Sequence, residues 1–189
     1  MKKEILYKIL EGNCEKILET KVNINSAEDD FVCFTNSYSN RQPSKSFKSM
    51  KSLQEKGIIK GEIGRHSQNR KLFTMVEHGG RESSTQYKLK GYFPPFSWVK
   101  LYPKTGRTHQ LRVHLKSIGH PIFCDNAYGG GAKYARSFHV KYTQIINQLI
   151  KTVNRVALHA HRLEILHPAT KKKMIFEAQL PQDFQRALE

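Results

Sequence analysis

Acidic residues and cysteine pairs are scarce in this chain of 189 residues, which has 16 Asp and Glu against 32 Lys and Arg and a net charge of +16. The three cysteines, Cys14, Cys33 and Cys124, lie far apart and in no CxxC arrangement. Their spacing argues against a zinc ribbon and a disulfide framework. A run of eighteen apolar residues is also absent, as is a charged-then-apolar leader, so neither a membrane span nor a secretory signal is indicated. We therefore expect a cytoplasmic protein with reduced thiols.

The positive charge is unevenly distributed along the chain. Residues 1–31 carry 5 basic and 7 acidic groups, residues 32–89 carry 11 and 4, and residues 90–189 carry 16 and 5. A pI near 9.8 in a chain that can bury a core is typical of a protein with a polyanionic partner. We expect that partner to be a nucleic acid that binds to the part of the chain after residue 31.

Hydrophobic spacing predicts several short strands and a few helices. Helical spacing occurs in residues 1–19, in 138–153 and in a terminal helix that begins at Pro181, whereas residues 35–52 are typical of a basic loop or a poorly ordered segment. Strands are predicted at residues 31–34, 72–76, 85–89, 97–102, 158–167 and 173–178. The predicted fold class is α+β, a mostly antiparallel sheet with a few packed helices.

The segment 105–115, with the sequence TGRTHQLRVHL, predicts a turn followed by a helix of roughly three turns. Its helical spacing places Leu111, Leu115 and Ile118 on one stripe, which we expect to be buried. His109, Arg112 and Lys116 form a second, cationic stripe. A solvated helix face is the simpler interpretation of such a stripe, but the excess of positive charge favours contact with an anion.

Metal binding is not indicated by the nine histidines. His159 and His161 point the same way on a predicted strand, but no third ligand lies at a recognisable spacing. The glycines at 129–131 are not followed by the Lys-Ser/Thr of a phosphate loop. Residues 171–173, three lysines at a predicted turn, are open to two interpretations, a solvated turn or a contact with RNA phosphates.

Residues 57–189 resemble the C-terminal two-thirds of the catalytic domain in the RluA-type family of RNA pseudouridine synthases. We therefore divide the chain into a divergent N-terminal segment, 1–56, which we expect to be partly disordered, and an incomplete pseudouridine synthase-like catalytic domain, 57–189. The resemblance is carried by an ordered set of short motifs: GII at 57–59, IGRH at 63–66, the strand region 81–87, residues 105–115, GHP at 119–121, Asp125 with YG at 128–129, LHA at 158–160, LHP at 166–168 and LP at 180–181.

The resemblance implies an activity that needs no metal or organic cofactor, the isomerisation of uridine to pseudouridine in structured RNA, with rRNA favoured over tRNA. It also implies that Arg112 pairs with the family's catalytic Asp, since a neighbouring guanidinium keeps a carboxylate ionised. Contacts with RNA are expected from six residues of the matched segments: Arg65, Arg107, His109, Gln110, His114 and Lys116.

The family's nucleophile segment, His-Arg-Leu-Asp followed by Ser/Thr-Gly, is absent from the sequence. The segment 161–164, HRLE, is a lookalike in the position of a late strand of the family, where we expect a half-exposed strand. Asp30 is a weak candidate for the nucleophile, because it precedes a strand that faintly resembles the opening of the catalytic domain, and Asp125 favours a structural hydrogen-bonding role. Two hypotheses remain: a pseudouridine synthase, or a non-catalytic or truncated RNA-binding relative. The oligomeric state is open.

Overall fold

The structure is a computed structural model that describes residues 30–36, 53–93, 96–131 and 140–188. The helix predicted in residues 1–19 and most of the basic loop predicted at 35–52 lie outside these residues. Within them, seven strands form one sheet in the order β3-β2-β4-β5-β1-β6-β7, and every neighbouring pair is antiparallel. The predicted α+β class with a mostly antiparallel sheet is confirmed.

The strands and helices are short and follow the predicted order. The strands are β1 (Asp30–Asn36), β2 (Lys56–Arg65), β3 (Phe73–Val76), β4 (Arg81–Phe93), β5 (Phe96–Pro103), β6 (Leu158–Leu166) and β7 (Lys173–Glu177). The helices are α1 (Gln110–Ser117), α2 (Val140–Val153) and α3 (Gln182–Leu188), and a single 3₁₀ turn covers Asn126–Tyr128. All six predicted strands are present, but β4 extends four residues beyond the predicted range at each end, and β2 is a strand that the sequence analysis did not predict.

Strand β1 is buried along its whole length, because it lies between β5 and β6 in the sheet. Phe31 and Cys33 pair in register with Leu101 and Val99 of β5, and these apolar side chains belong to the main core. The described residues before position 57 thus include a central strand of the same sheet. The division of the chain at residue 56 stays a prediction.

Helix α1 packs on one face of the sheet against β2, β3 and β4. Leu111 and Leu115 are buried in the core, as their spacing predicts. The helix has eight residues, about two turns rather than the predicted three, because His109 adopts a left-handed conformation with φ 55° and Ile118 leaves helical geometry. Ile118 is consequently 38% exposed and not part of the buried stripe.

Helices α2 and α3 contribute side chains to the main core beside β1. The Phe184 ring of α3 is fully buried and lies 5.2 Å from the ring of Phe34 on β1. Pro181 directly precedes α3, as the sequence predicts, at a position where a helix does not need the missing N–H. In the part of the chain that the structure describes, no helix is long and apolar enough to cross a membrane.

Candidate functional site

The ion pair between Arg112 and Asp125 is the centre of the candidate site. Arg112 Nε donates to Asp125 Oδ2 at 2.7 Å, and Arg112 Nη2 donates to Asp125 Oδ1 at 2.8 Å. The Asp125 side chain is fully buried, whereas that of Arg112 is 18% exposed. The hydrogen bonds that Arg112 donates to Asp125 raise the pKa of Arg112, although burial opposes this. This two-point pairing fixes the plane of the guanidinium, and no described residue accepts from Nη1.

Tyr128 supports the ion pair from one side. The Arg112 guanidinium lies 4.6 Å from the centroid of the Tyr128 ring, and Lys116 Nζ lies 5.7 Å from it. The Tyr128 backbone N–H donates to Asp125 Oδ1 at 3.3 Å, so Asp125 caps the 3₁₀ turn while it binds Arg112. The structural hydrogen-bonding role predicted for Asp125 is thus observed. Burial raises the pKa of the Tyr128 hydroxyl.

His109 links this pair to β3. Its Nδ1 lies 2.8 Å from the Tyr128 hydroxyl, which also accepts a hydrogen bond from the backbone N–H of Phe73 at 3.0 Å. Because the side chain is engaged with Tyr128, it does not cap α1, and its backbone has a conformation that few non-glycine residues adopt. Burial, and to a lesser degree the charge on Arg112, lower the pKa of His109. The lowered pKa favours the neutral form of the ring.

Gln110 attaches the loop before α1 to β4 with four hydrogen bonds. Its Oε1 accepts from Thr105 Oγ1 at 2.7 Å and from the Arg107 backbone N–H at 2.9 Å. Its Nε2 donates to Ser84 O and to Thr85 Oγ1, each at 3.0 Å. These bonds satisfy the amide completely. The side chain is 1% exposed, so it positions Arg107 and has no free surface for RNA.

His114 is fully buried between two hydroxyls of β4. Its Nε2 lies 2.8 Å from Ser83 Oγ and its Nδ1 lies 2.8 Å from Thr85 Oγ1. Ser83 Oγ donates to Gly61 O at 2.6 Å, so it must accept from Nε2–H. Thr85 Oγ1 accepts from Gln110 and is therefore free to donate to Nδ1, which only the neutral imidazole can accept. Burial lowers the pKa of His114 to about 4. Direct contact with RNA, which we predicted for His114 and Gln110, is not possible for these buried side chains.

The remaining cations of the predicted site lie at the surface around the same loop. Arg107 Nε donates to Glu82 O at 2.9 Å, and Arg65 Nη1 donates to Arg70 O at 3.0 Å. The Arg65 guanidinium lies 5.6 Å from the Phe73 ring, which in turn contacts His109 edge-on at 5.7 Å. Lys116 is exposed at the next turn of α1. One surface around this loop and α1 thus carries five side chains of the predicted site: Arg65, Arg107, His109, Arg112 and Lys116.

Asp30 does not lie at this surface. Its carboxylate accepts from Lys100 Nζ at 2.7 Å and is 5% exposed. Val32 pairs with Lys100, Lys100 with Lys88, and Thr85 with Pro103. Because side chains alternate along a strand, Asp30 and Lys100 project from the sheet face opposite to Thr85, on which α1 packs. The structure therefore does not bring Asp30 to Arg112.

The lookalike segment at 161–164 lies in β6, as we expected, and its charged residues form ion pairs within β6 and with β7. Arg162 Nη2 lies 3.2 Å from Glu164 Oε2, and Lys173 Nζ lies 2.6 Å from Glu164 Oε1. Glu164 is 7% exposed, so our expectation of a half-exposed strand is wrong at this residue, because two cations cover the carboxylate. Within the described ranges, no group of three or more His, Cys, Asp and Glu could hold a metal ion.

Sequence reasoning missed two residues of the site. Tyr128 appears in the sequence only as a landmark of resemblance, yet its ring and hydroxyl join Arg112, Lys116 and His109. The spacing Asp-x-x-Tyr, typical of a capped turn, could have indicated it. Arg81 lies near Arg65 and Arg107. No local sequence pattern marks Arg81, because long-range contacts in the fold bring the three arginines together.

Comparison with known proteins finds a matching family model and related sequences. Residues 15–117 match the family model described as RNA pseudouridylate synthase. Ribosomal large subunit pseudouridine synthase D of Vibrio cholerae is 37% identical over 127 residues, which are 67% of this chain and 38% of that protein. An uncharacterised RNA pseudouridine synthase of Chlorobaculum parvum is 35% identical over 158 residues, 80% of this chain and 48% of that protein. The chain thus spans less than half the length of these relatives.

Two solved structures share the fold. Human RNA pseudouridylate synthase domain containing 1 superposes with a TM-score of 0.56 at 22% identity, over 82% of this chain and 55% of that one. Human RNA pseudouridylate synthase domain containing 4 gives 0.55 at 19% identity, over 87% and 62%. More than half of this chain matches the family model, and the match ends within α1, the helix that carries Arg112. The chain therefore belongs to the RNA pseudouridylate synthase family.

Proposed function

We propose that this chain is an RNA pseudouridine synthase-like protein that binds structured RNA at the surface around α1 and isomerises uridine to pseudouridine there. The observation that carries the proposal is the preorganised Arg112, which Asp125 and Tyr128 hold in one orientation within a ring of basic side chains. The name of the Vibrio cholerae relative specifies the ribosomal large subunit, which favours rRNA over tRNA. The place of action that fits such an RNA is the cytoplasm.

The chemistry of the family needs a carboxylate beside the target nucleotide. Cleavage of the bond between uracil and ribose develops positive charge on the sugar, which a carboxylate stabilises. An arginine paired with that carboxylate keeps it ionised. Arg112 is already paired with Asp125 through Nε and Nη2, and its Nη1 donates to no described residue. We propose that Nη1 donates to one of two groups and orients it: the catalytic carboxylate or a phosphate of the bound RNA.

A second function, RNA binding without catalysis, is favoured by the positions of the carboxylates. Among the described residues, the acidic side chain at Arg112 is Asp125, which is fully buried and has both oxygens occupied. Asp30, our weak candidate for the nucleophile, lies on the opposite face of the sheet and binds Lys100. The described residues thus keep the basic surface and place no reactive carboxylate beside it.

Tritium release from rRNA transcripts labelled at C5 of uracil separates the two functions. The first predicts release by the wild-type chain, since C5 loses its hydrogen when it joins the ribose. The second predicts RNA binding that weakens steeply with salt and no release. The Asp30→Asn variant is nearly isosteric, so its loss of release with intact RNA binding would identify Asp30 as the nucleophile. An absence of RNA binding would contradict both functions.

A further inference from the structure

A basic cavity of about 340 Å³ adjoins the candidate site. It lies between the hairpin of β2 and β3, the turn before β4 and the loop before α1, and three arginines line it, Arg65, Arg81 and Arg107. None of the described residues that line it is acidic. Three guanidinium groups around one cavity repel each other unless an anion binds between them. The charge of this cavity therefore indicates an anionic ligand.

The fold brings these arginines together from distant parts of the sequence. Arg81 of β4 pairs with Ile63 of β2, and Arg65 follows Ile63 by two residues, so Arg65 projects from the same face as Ile63. Arg107 reaches the cavity from the loop that Gln110 attaches to β4. The strand order and the hydrogen bonds of the Gln110 amide thus fix the spacing of the three arginine backbones.

The turn before β4 needs its two glycines. Gly79 has φ +81°, which favours glycine. A Cβ at Gly80 would lie 2.7 Å from Val76 Cγ2 and 3.0 Å from the Ile63 carbonyl carbon, which leaves no room for a side chain. The Gly80 N–H donates to Glu62 Oε2 at 2.8 Å, so it is not a donor for a ligand. The turn consequently contributes its shape, and the arginines contribute the donors.

Each guanidinium retains donors for a ligand. Arg107 uses Nε to bind Glu82 O, and Arg65 uses Nη1 to bind Arg70 O. These carbonyl contacts orient the two side chains without neutralising them. Arg81 is exposed and forms no ion pair with another described residue. A planar guanidinium with free N–H groups matches the oxygens of a phosphate better than an ammonium group does.

We infer that this cavity binds one internal phosphodiester of an RNA strand, next to the nucleotide that lies at His109 and Arg112. The inference rests on the proposed function and extends it to the orientation of the RNA strand. The contact of Phe73 with both Arg65 and His109 places the cavity beside the candidate site. A phosphate held there sets the direction in which the strand crosses α1 and carries no sequence information.

The test is a double-mutant cycle that combines the substitution of one side chain with the neutralisation of single phosphates in the RNA. The probe is a short fluorescein-labelled RNA hairpin, in which each linkage is replaced in turn by a neutral methylphosphonate, and binding is followed by anisotropy. In the wild type, neutralising the phosphate of the cavity is expected to weaken binding about fivefold to tenfold. In the Arg81→Gln variant the same replacement is expected to have almost no further effect, while replacements at other linkages keep theirs.

The salt dependence of binding gives a second readout. Loss of one phosphate contact is expected to lower the slope of log K against log salt by about 1, and Arg81→Lys is expected to restore part of the affinity. Lys151→Gln, an exposed charge on α2, is the control. Thermal unfolding of Arg81→Gln is expected to match the wild type, because Arg81 is exposed.

The outcomes separate this inference from the proposed function. Wild-type RNA binding in which Arg81→Gln leaves the effect of every linkage unchanged would overturn the inference alone. No binding of any RNA by the wild type would overturn both. Competition by inorganic phosphate at low millimolar concentration, without coupling to any linkage, would assign the cavity to a free anion and also overturn the inference.

Discussion

The segment 105–117 contains two sets of polar residues that lie close together in sequence and differ in environment. Gln110 and His114 are buried and uncharged, and their ring and amide heteroatoms all have partners on the loop or on β4. Arg107 is partly exposed, Lys116 is exposed, and both are cationic. We call the first pair the buried set and the second pair the exposed set. Since they lie within ten residues of each other, their difference comes from the face that each presents to the sheet.

This difference shows how one short segment can both stabilise a fold and bind a ligand. A buried polar group contributes to stability when all its hydrogen bonds are made, and its loss leaves partners unsatisfied. An exposed cation contributes little to stability, but it attracts a polyanion over a distance of about 10 Å at moderate salt. Substitutions in the buried set should therefore change the free energy of unfolding, and substitutions in the exposed set should change RNA affinity.

The largest effect is expected at Asp125, the buried carboxylate that pairs with Arg112. Asp125→Asn removes the charge that compensates a partly buried guanidinium, and we expect a loss of about 3 to 4 kcal/mol in the free energy of unfolding. Urea denaturation measures this value. Asp183→Asn is the matched control, because Asp183 binds Arg155 in the same two-point manner at 2.7 and 3.0 Å.

The control pair is more exposed, with Arg155 at 41% and Asp183 at 20%. Solvent screens such a pair, so Asp183→Asn is expected to cost less than about 1 kcal/mol. Equal losses in the two variants would contradict the view that burial makes the Arg112 pair important. A larger loss at Asp183 would reverse the comparison.

The next effect concerns the protonation of His114 in the buried set. Its pKa is about 4 in the folded protein, against 6.5 for an ordinary histidine. Below pH 6.5 the unfolded chain therefore binds a proton that the folded chain does not, and stability falls as the pH is lowered towards 4. By pH 5 the loss from this group is expected to be on the order of 2 kcal/mol.

His114→Gln removes this titration while keeping a side chain that can donate and accept. The difference in unfolding free energy between variant and wild type is expected to shrink as the pH falls from 7 to about 5, where most carboxylates are still ionised. Burial also lowers the pKa values of His109, His120 and His159, and these groups are present in both proteins. A constant difference across this range would show that His114 titrates normally.

Much of the fold could be predicted from the sequence, because period-two and helical spacings reflect local geometry. The strands and the buried Leu111 and Leu115 follow from such spacing. The bounds of α1 did not, because the helix starts after the left-handed His109, whose side chain contacts the Tyr128 hydroxyl, and ends where Ile118 leaves helical geometry. The burial of Gln110 and His114 depends on the hydroxyls of β4, about 25 residues earlier.

The candidate site was harder to predict, for the same reason. The family resemblance identified Arg112, but residue spacing alone could not show that its partner is Asp125, thirteen positions later. The position of Asp30 depended on strand register, because a shift of one residue in β1 would have placed its carboxylate on the face of α1. Long-range pairing therefore decided which charged residues meet.

The smallest effect is expected at Lys116, and it tests the exposed set alone. Lys116→Gln removes one cation from the surface of α1, so unfolding is expected to change by less than about 0.5 kcal/mol. The affinity for RNA is expected to fall about threefold, and the salt slope by about 1, because a lysine at this position contacts a phosphate and reads no base. Anisotropy over a range of salt concentrations measures both quantities, with Lys151→Gln as the control. If Lys116→Gln destabilised the fold instead, the contact of Lys116 with the Tyr128 ring would be structural. Lys116 would then contribute to stability, as the buried set does, despite its exposure.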